Sequence, residues 1–148
     1  MDDPAKFVEN SERIVSFFGG AWPSFHDAEV ISMDLYRGDV CPECDSWIGP
    51  TLTASIQVLE ATQPGAKHAD DDTLVTLRFH DVDDLRLIGF NHQNAIIGLR
   101  FSTERRAEGV PDYVRVAFQQ AHGVDCTFRC SRVEAVNAQP FARTERST

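Results

Sequence analysis

Between residues 29 and 136 apolar side chains return at every second position, in short runs separated by turn-forming residues. That period suits a pleated strand with one buried face, not a helix, whose apolar stripe would return every three or four residues. Val75, Leu77 and Phe79 alternate with Thr76, Arg78 and His80, and Val114, Val116 and Phe118 alternate with Tyr113, Arg115 and Ala117. Strands are predicted over residues 29–37, 51–60, 73–81, 84–90, 95–102, 113–119 and 124–136. One-sided alternation with short links marks antiparallel pairing rather than a parallel sheet between helices. Ala95, Ile96, Ile97 and Leu99 are apolar in both phases, which places that strand centrally. In the last strand Val124, Cys126, Phe128 and Cys130 share a phase that slips to Val133 and Ala135, and a bulge near Ser131 and Arg132 would explain the slip.

The first 20 residues follow a different period. Asp3 before Pro4 is a helix start, with an oxygen to cap the first amides and a ring that suits the first turn. Phe7, Ser11, Ile14 and Phe18 are spaced four, three and four apart, flanked by Val8 and Val15, and Gly19 and Gly20 supply a left-handed stop. A helix over residues 4–18 is predicted, lying across one face of the sheet. The expected fold is therefore α+β: an N-terminal helix packed on a twisted, mostly antiparallel sheet of six to seven strands. Ten Phe and 42% apolar residues are enough for a real core in 148 residues. Residues 1–136 read as one domain, and residues 137–148, which lack periodicity, as a frayed tail.

Trp22, Pro23, Ser24, Phe25, His26, Asp27, Ala28, Glu29 and Val30 lie where the two periods meet. Pro23 pushes Trp22 toward an extended backbone, and the Ser24 to Asp27 spacing can satisfy free amides in a short turn. The stretch reads as a tight turn feeding a strand, with Trp22 and Phe25 inserted into the core.

Four groups of residues could carry chemistry. Cys41 and Cys44 have the spacing of half a zinc site, or could close a disulfide on exposure to oxidant. Cys126 and Cys130 lie four apart on a strand, hence ~13 Å apart, too far to share an ion, and read as small buried hydrophobes. His26, Asp27 and Glu29, with His80, Asp81 and His92 elsewhere, could build a small metal-dependent hydrolase. Adjacent strand residues point to opposite faces, however, and the spacing matches no established metal motif, so a structural role at the strand start is preferred. The polar run from Phe90 through Asn91, His92, Gln93 and Asn94 suits a turn between strands or a hydrogen-bonding surface. No nucleophile elbow, phosphate loop or basic stripe is present in the sequence. No catalytic residue, metal or cofactor is expected.

Charge is distributed unevenly. Residues 1–84 carry 17 Asp and Glu against 5 Lys and Arg, a net −12, and the remainder carry 6 against 9, a net +3. Such a surface repels nucleic acid and anionic membranes and attracts a basic partner. Asp70, Asp71, Asp72, Asp83 and Asp84 are candidate steering residues, and Trp47 is a candidate aromatic anchor. No apolar run approaches the ~20 residues of a membrane span, and the acidic start MDDPAKF is unlike a signal peptide, so a cytoplasmic location is expected.

The stretch WPSFHDAEV, together with FNHQNAIIGLRF over residues 90–101 and GVDCTFRCSRVEAV over residues 123–136, resembles the immunity protein 50 family of bacterial polymorphic toxin systems. The likeness runs over residues 14–136. It implies a cytoplasmic protein that binds and neutralises a cognate toxin domain, and it brings no catalytic residues with it. Trp22, Pro23, Ser24, Phe25, His26, Asp27, Glu29, Asn91, Gln93 and Asn94 are the motif residues, read as structural. Toxins that act on nucleic acid tend to be basic, which agrees with an acidic partner. Without the resemblance, a general protein-interaction module would be the remaining reading.

Overall fold

In the computed structural model, which describes residues 3–63 and 71–142, the alternation resolves into eleven strands and almost no helix. The strands are β1 (Val8–Glu9), β2 (Glu29–Tyr36), β3 (Asp39–Cys41), β4 (Ser46–Ile48), β5 (Thr51–Val58), β6 (Asp71–His80), β7 (Asp83–Ile88), β8 (Ile96–Glu104), β9 (Tyr113–Gln120), β10 (Asp125–Cys130) and β11 (Arg132–Ala142). They form a five-stranded sheet in the order β1-β11-β6-β5-β2, a four-stranded sheet in the order β7-β10-β9-β8, and a separate pair, β3-β4. β1 joins β11 in parallel, and all other neighbours are antiparallel.

The two larger sheets enclose one core. Phe79 of β6 meets Phe118 of β9 and Phe128 of β10 edge-on, with ring centroids 6.0 and 4.9 Å apart, and all three are fully buried. Around them lie Leu52 and Ile56 from β5, Leu77 from β6 and Val116 from β9. Cys126 and Cys130 face this core from β10, as small hydrophobes would.

Strands β6 and β11 pair in one sheet, and their continuations β7 and β10 pair in the other. This long antiparallel pair therefore bends across both sheets, turning at Asp81, whose φ is 56°, and at Ser131. The Ser131 amide donates to the His80 carbonyl at 2.8 Å, and its hydroxyl donates to the same carbonyl and to the Asp81 carboxylate. This corner is the cause of the phase slip between Cys130 and Val133. It is a change of sheet, not the expected bulge within one strand, because a bend from one layer to the other shifts the inward phase as a bulge does. The register does shift later, between Ala135 and Asn137 of β11.

The predicted N-terminal helix does not form, and the protein is mostly β rather than α+β. Its start signal works locally: the Asp3 side chain accepts from the Ala5 amide at 3.1 Å, and Pro4 opens a 3-10 turn over Pro4–Phe7. Val8 and Glu9 then pair with Val133 and Glu134, and Asn10 takes a φ of 59° that no helix accommodates. A single turn, α1 (Glu12–Val15), follows. An isolated helix of this length is marginal in water, and a polar Ser11 interrupts its apolar stripe, so strand pairing of Val8 prevails. The apolar residues nonetheless turn inward: Ile14 is fully buried, and Phe7 and Phe18 pack on the core.

Three further expectations are corrected. Instead of one sheet of six to seven strands, the chain builds two stacked sheets and a separate two-stranded ribbon. Residues 137–142, assigned to a frayed tail, are the second half of β11 and pair with residues 71–76. The strand around Ala95 is an edge: β8 ends the four-stranded sheet and leaves Ile97 52% exposed. No helix among the described residues is long and apolar enough to cross a membrane.

Candidate functional site

The sheets also meet on the side away from the corner, along a short seam between the starts of β2 and β8. The Asp27 amide donates to the Ile96 carbonyl at 2.9 Å, the Ile96 amide to Ala28 at 3.0 Å, and the Val30 amide to Asn94 at 2.9 Å. Phe25 and Pro23 are buried beside it, while Trp22 is half-buried with its ring 5.7 Å from Phe25 and 6.2 Å from Phe101.

The polar side chains of this stretch hold backbone. Ser24 is clamped by Gln63, whose carbonyl oxygen accepts the Ser24 amide at 2.8 Å and whose amide donates to the Ser24 carbonyl at 2.8 Å. The Ser24 hydroxyl oxygen accepts the His26 amide at 3.2 Å. Asp27 occupies the left-handed region with a φ of 61°, which a short polar side chain tolerates best. His26 Nδ1 lies 3.2 Å from the Ile97 carbonyl, so Nδ1 carries the proton, and Nε2 lies 3.5 Å from Asp27. Glu29 Oε1 accepts the Asn94 amide at 2.8 Å.

Asn94 is the centre of the seam, 3% exposed. Its Oδ1 accepts the Asn91 amide at 2.8 Å, and its Nδ2 donates to the Asn91 carbonyl at 2.7 Å and to Val30 at 3.4 Å. Asn91 in turn accepts the Gln93 amide at 2.7 Å. Gly123 packs against the same loop with a φ of 74°, and a Cβ there would stand 2.2 Å from the Gln93 carbonyl oxygen. The three sequence blocks, far apart along the chain, thus converge on one place. The first two border an open concavity of about 690 Å³ lined by Asp27, Glu29, Gln57, Asn91, His92 and Gln93 among others.

Several of the candidate hydrolytic residues are engaged with other groups of the protein or lie apart. Glu29 is turned to an amide, His26 to a carbonyl, and His80 lies far off beside Glu134 at 2.8 Å. Among the described residues no three His, Cys, Asp or Glu side chains gather closely enough to hold a metal ion. Cys41 and Cys44 form a disulfide, and burial pushes the Cys126 and Cys130 thiols up to about 12.

The acidic residues proposed to steer a partner have separate fates. Asp72 is buried, accepting the Gln57 side-chain amide at 2.8 Å and the Glu60 amide at 3.1 Å, and so cannot face a partner. Asp71 is exposed at the start of β6, and Asp70 lies outside the described residues. Asp83 pairs with Arg129, and Asp84 pairs with Arg115 at 2.9 Å. Hydrogen bonding and charge from Arg115 hold the Asp84 carboxyl below the usual carboxylate range. Arg129 also reaches Glu104 at 3.2 Å, so these acids sit in an internal network on the outer face of the four-stranded sheet.

Trp47 is 76% exposed, on a ribbon where only a connecting loop over residues 38–49 was expected. β3 and β4 continue the β2–β5 ladder beyond the sandwich, with Val40 opposite Trp47 and Cys41 opposite Ser46. The signal was present: β-prone Val40 and Trp47 flank a tight Cys-Pro-Glu-Cys turn.

The sequence profile of the family Immunity protein 50 matches residues 10–141, from the turn before α1 to the penultimate residue of β11. No curated protein and no solved structure matches the chain.

Proposed function

From the premise that the chain belongs to the immunity protein 50 family, we propose that it neutralises a cognate bacterial toxin domain by stoichiometric binding, without turning over a substrate. The observation that carries this reading is the use made of the seam. Its residues with the most catalytic character, His26, Glu29 and Asn94, hold strand ends together. A general base or metal ligand has to face a bound reactant, whereas Glu29 Oε1 and the Asn94 side-chain amide are committed to the protein's own backbone. The protein then works as a rigid shape.

The net −12 over residues 1–84 favours a basic toxin. Charge of that kind accelerates encounter more than it tightens the final complex. The protein would act in the cytoplasm of the cell that makes the toxin, and it would have no call on nucleic acid or membrane.

Co-expression with the toxin domain encoded beside its gene tests the reading. The expected result is a stable one-to-one complex on gel filtration and survival that ends once toxin exceeds the protein. Survival at strongly sub-stoichiometric levels would mean turnover, and absence of any complex would mean that the protein does not neutralise by binding. Either result overturns the proposal.

A further inference from the structure

We infer that the β3–β4 ribbon is the docking element, and that it fits a cleft rimmed by Lys and Arg on the toxin. The inference rests on the neutralisation reading above.

The ribbon projects. The last pair of the β2–β5 ladder is Tyr36 with Thr51, and the ribbon resumes with Asp39 opposite Ile48. Between them the strands close tightly: Gly38 has a φ of 87°, and a Cβ there would stand 2.0 Å from the Ile48 carbonyl oxygen. Glycine alone fits that neck. Beyond it Val40 is 63% exposed, Trp47 76% and Ile48 64%. Single exposed apolar residues need no explanation, but three large ones on a ten-residue ribbon do. Val40 and Trp47 form a cross-strand pair on one face, and Ile48, next to Trp47, turns to the other. Apolar surface on both faces is suited to insertion into a cleft, where both are covered, rather than to lying on a flat surface.

Charge selects the kind of cleft. Asp34, Asp39, Glu43 and Asp45 are exposed along this arm with Arg37 as the one cation among them, a net −3 over residues 34–48. None of the four is in an ion pair among the described residues. Nucleic acid is repelled by this charge, although a β-ribbon is of a size to enter its major groove. A second copy of the chain would set −3 against −3. A basic protein cleft answers both the apolar faces and the acids.

The ribbon is also ordered in advance. Asp39 pairs with Ile48, Val40 with Trp47 and Cys41 with Ser46, and the Cys44 amide closes the turn by donating to the Cys41 carbonyl at 3.2 Å. A partner therefore meets a formed ribbon and loses little conformational entropy in holding it.

The test uses the full chain and the adjacent toxin domain as probe. Trp47→Ala is expected to weaken the complex about 30-fold or more, the scale of a central aromatic anchor, with the melting temperature unchanged because Trp47 makes no core contact. Glu43→Gln combined with Asp45→Asn is expected to slow association and flatten its salt dependence, with little change in dissociation. Ile97→Ala, at an exposed apolar residue on β8, is expected to bind as the parent does. If Trp47→Ala binds like the parent, the ribbon is not the docking element, while neutralisation by another surface stands. If the parent itself does not bind the toxin, the functional reading falls and the ribbon with it.

Discussion

Substituting Asn94 by alanine should unfasten the seam. The side chain accepts the Asn91 amide at 2.8 Å and donates to the Asn91 carbonyl at 2.7 Å, with a longer contact of 3.4 Å to Val30. Asn94 is 3% exposed, so water cannot readily replace what is removed. A buried donor or acceptor stripped of its partner costs about 1–3 kcal/mol; two are stripped here, both only partly buried, which places the loss in the lower part of the summed range, about 2–4 kcal/mol. For a chain of this size the melting temperature should fall by about 6–15 °C, measured by circular dichroism. Asn94→Asp separates hydrogen bonding from shape. The introduced carboxylate still accepts the Asn91 amide, but its second oxygen is set against the Asn91 carbonyl. That repulsion raises the folded pKa of the new group above its unfolded value. Its protonated form can donate to the carbonyl, so stability is greatest below the unfolded pKa and is lost as pH rises through the folded one. The deficit against the parent should therefore shrink on going from pH 7 to pH 4. A melt of Asn94→Ala within about 2 °C of the parent would refute the seam as a fastening between the two sheets.

Trp22 stacks on Phe25 and Phe101 but is only partly buried, so Trp22→Ala should cost about 2–4 kcal/mol in a urea titration, at the low side of aromatic truncations; an unchanged midpoint would remove it from the core. A hydrogen bond from His80 and its positive charge hold the Glu134 carboxyl below its ordinary value of 4.5. The Glu134 contribution is thus in place once pH rises past that value and is lost as pH falls through the depressed folded value. The acid limb of the parent's stability curve should be steeper than that of His80→Ala, and parallel limbs would contradict the pairing. Thiol titration without reductant should find none reactive in the native protein and two, Cys126 and Cys130, after denaturation; a native reactive thiol would show that the Cys41–Cys44 bond is open or that β10 is exposed.

The strands were legible because burial on one face writes a period of two into the sequence wherever a sheet covers a core. Every segment predicted as a strand overlaps at least one. What periodicity does not encode is which sheet a strand joins. Between Cys130 and Val133 the slip in phase is identical whether a residue bulges or the chain turns a corner, and only the partner strands distinguish them. The N-terminal helix failed for a related reason. Capping at Asp3 and the stop at Gly19 and Gly20 are local and did appear, as a 3-10 turn and two positive φ values. The residues between them were decided by Val8 finding an open edge on β11, which no local spacing reveals. At the seam the residue types were visible, but their convergence was not. Glu29 and Asn94 are 65 positions apart, and the bond between them exists only once both sheets have closed.

Strand pairing within each sheet also bears on the electrostatics, since it brings the positive half of the chain onto particular acids. Arg115 and Arg129, on β9 and β10, reach Asp83, Asp84 and Glu104 on β7 and β8. Arg132 reaches Glu9, and Asp72 is taken into the interior. These acids are compensated or hidden, and exposed ion pairs of this kind add little to stability. What they change is the field. With the outer face of the four-stranded sheet balanced, much of the negative charge is left elsewhere, including the four carboxylates along β2, β3 and the Cys41–Cys44 turn, which have Arg37 as the one cation among them. A basic toxin would then be drawn toward the ribbon end before any contact forms, within a Debye length of about 8 Å at physiological salt. Folding therefore turns an excess of acid spread over residues 1–84 into a direction of approach, and of the five acids that sequence alone marked as steering residues it turns three, Asp72, Asp83 and Asp84, to partners within the chain.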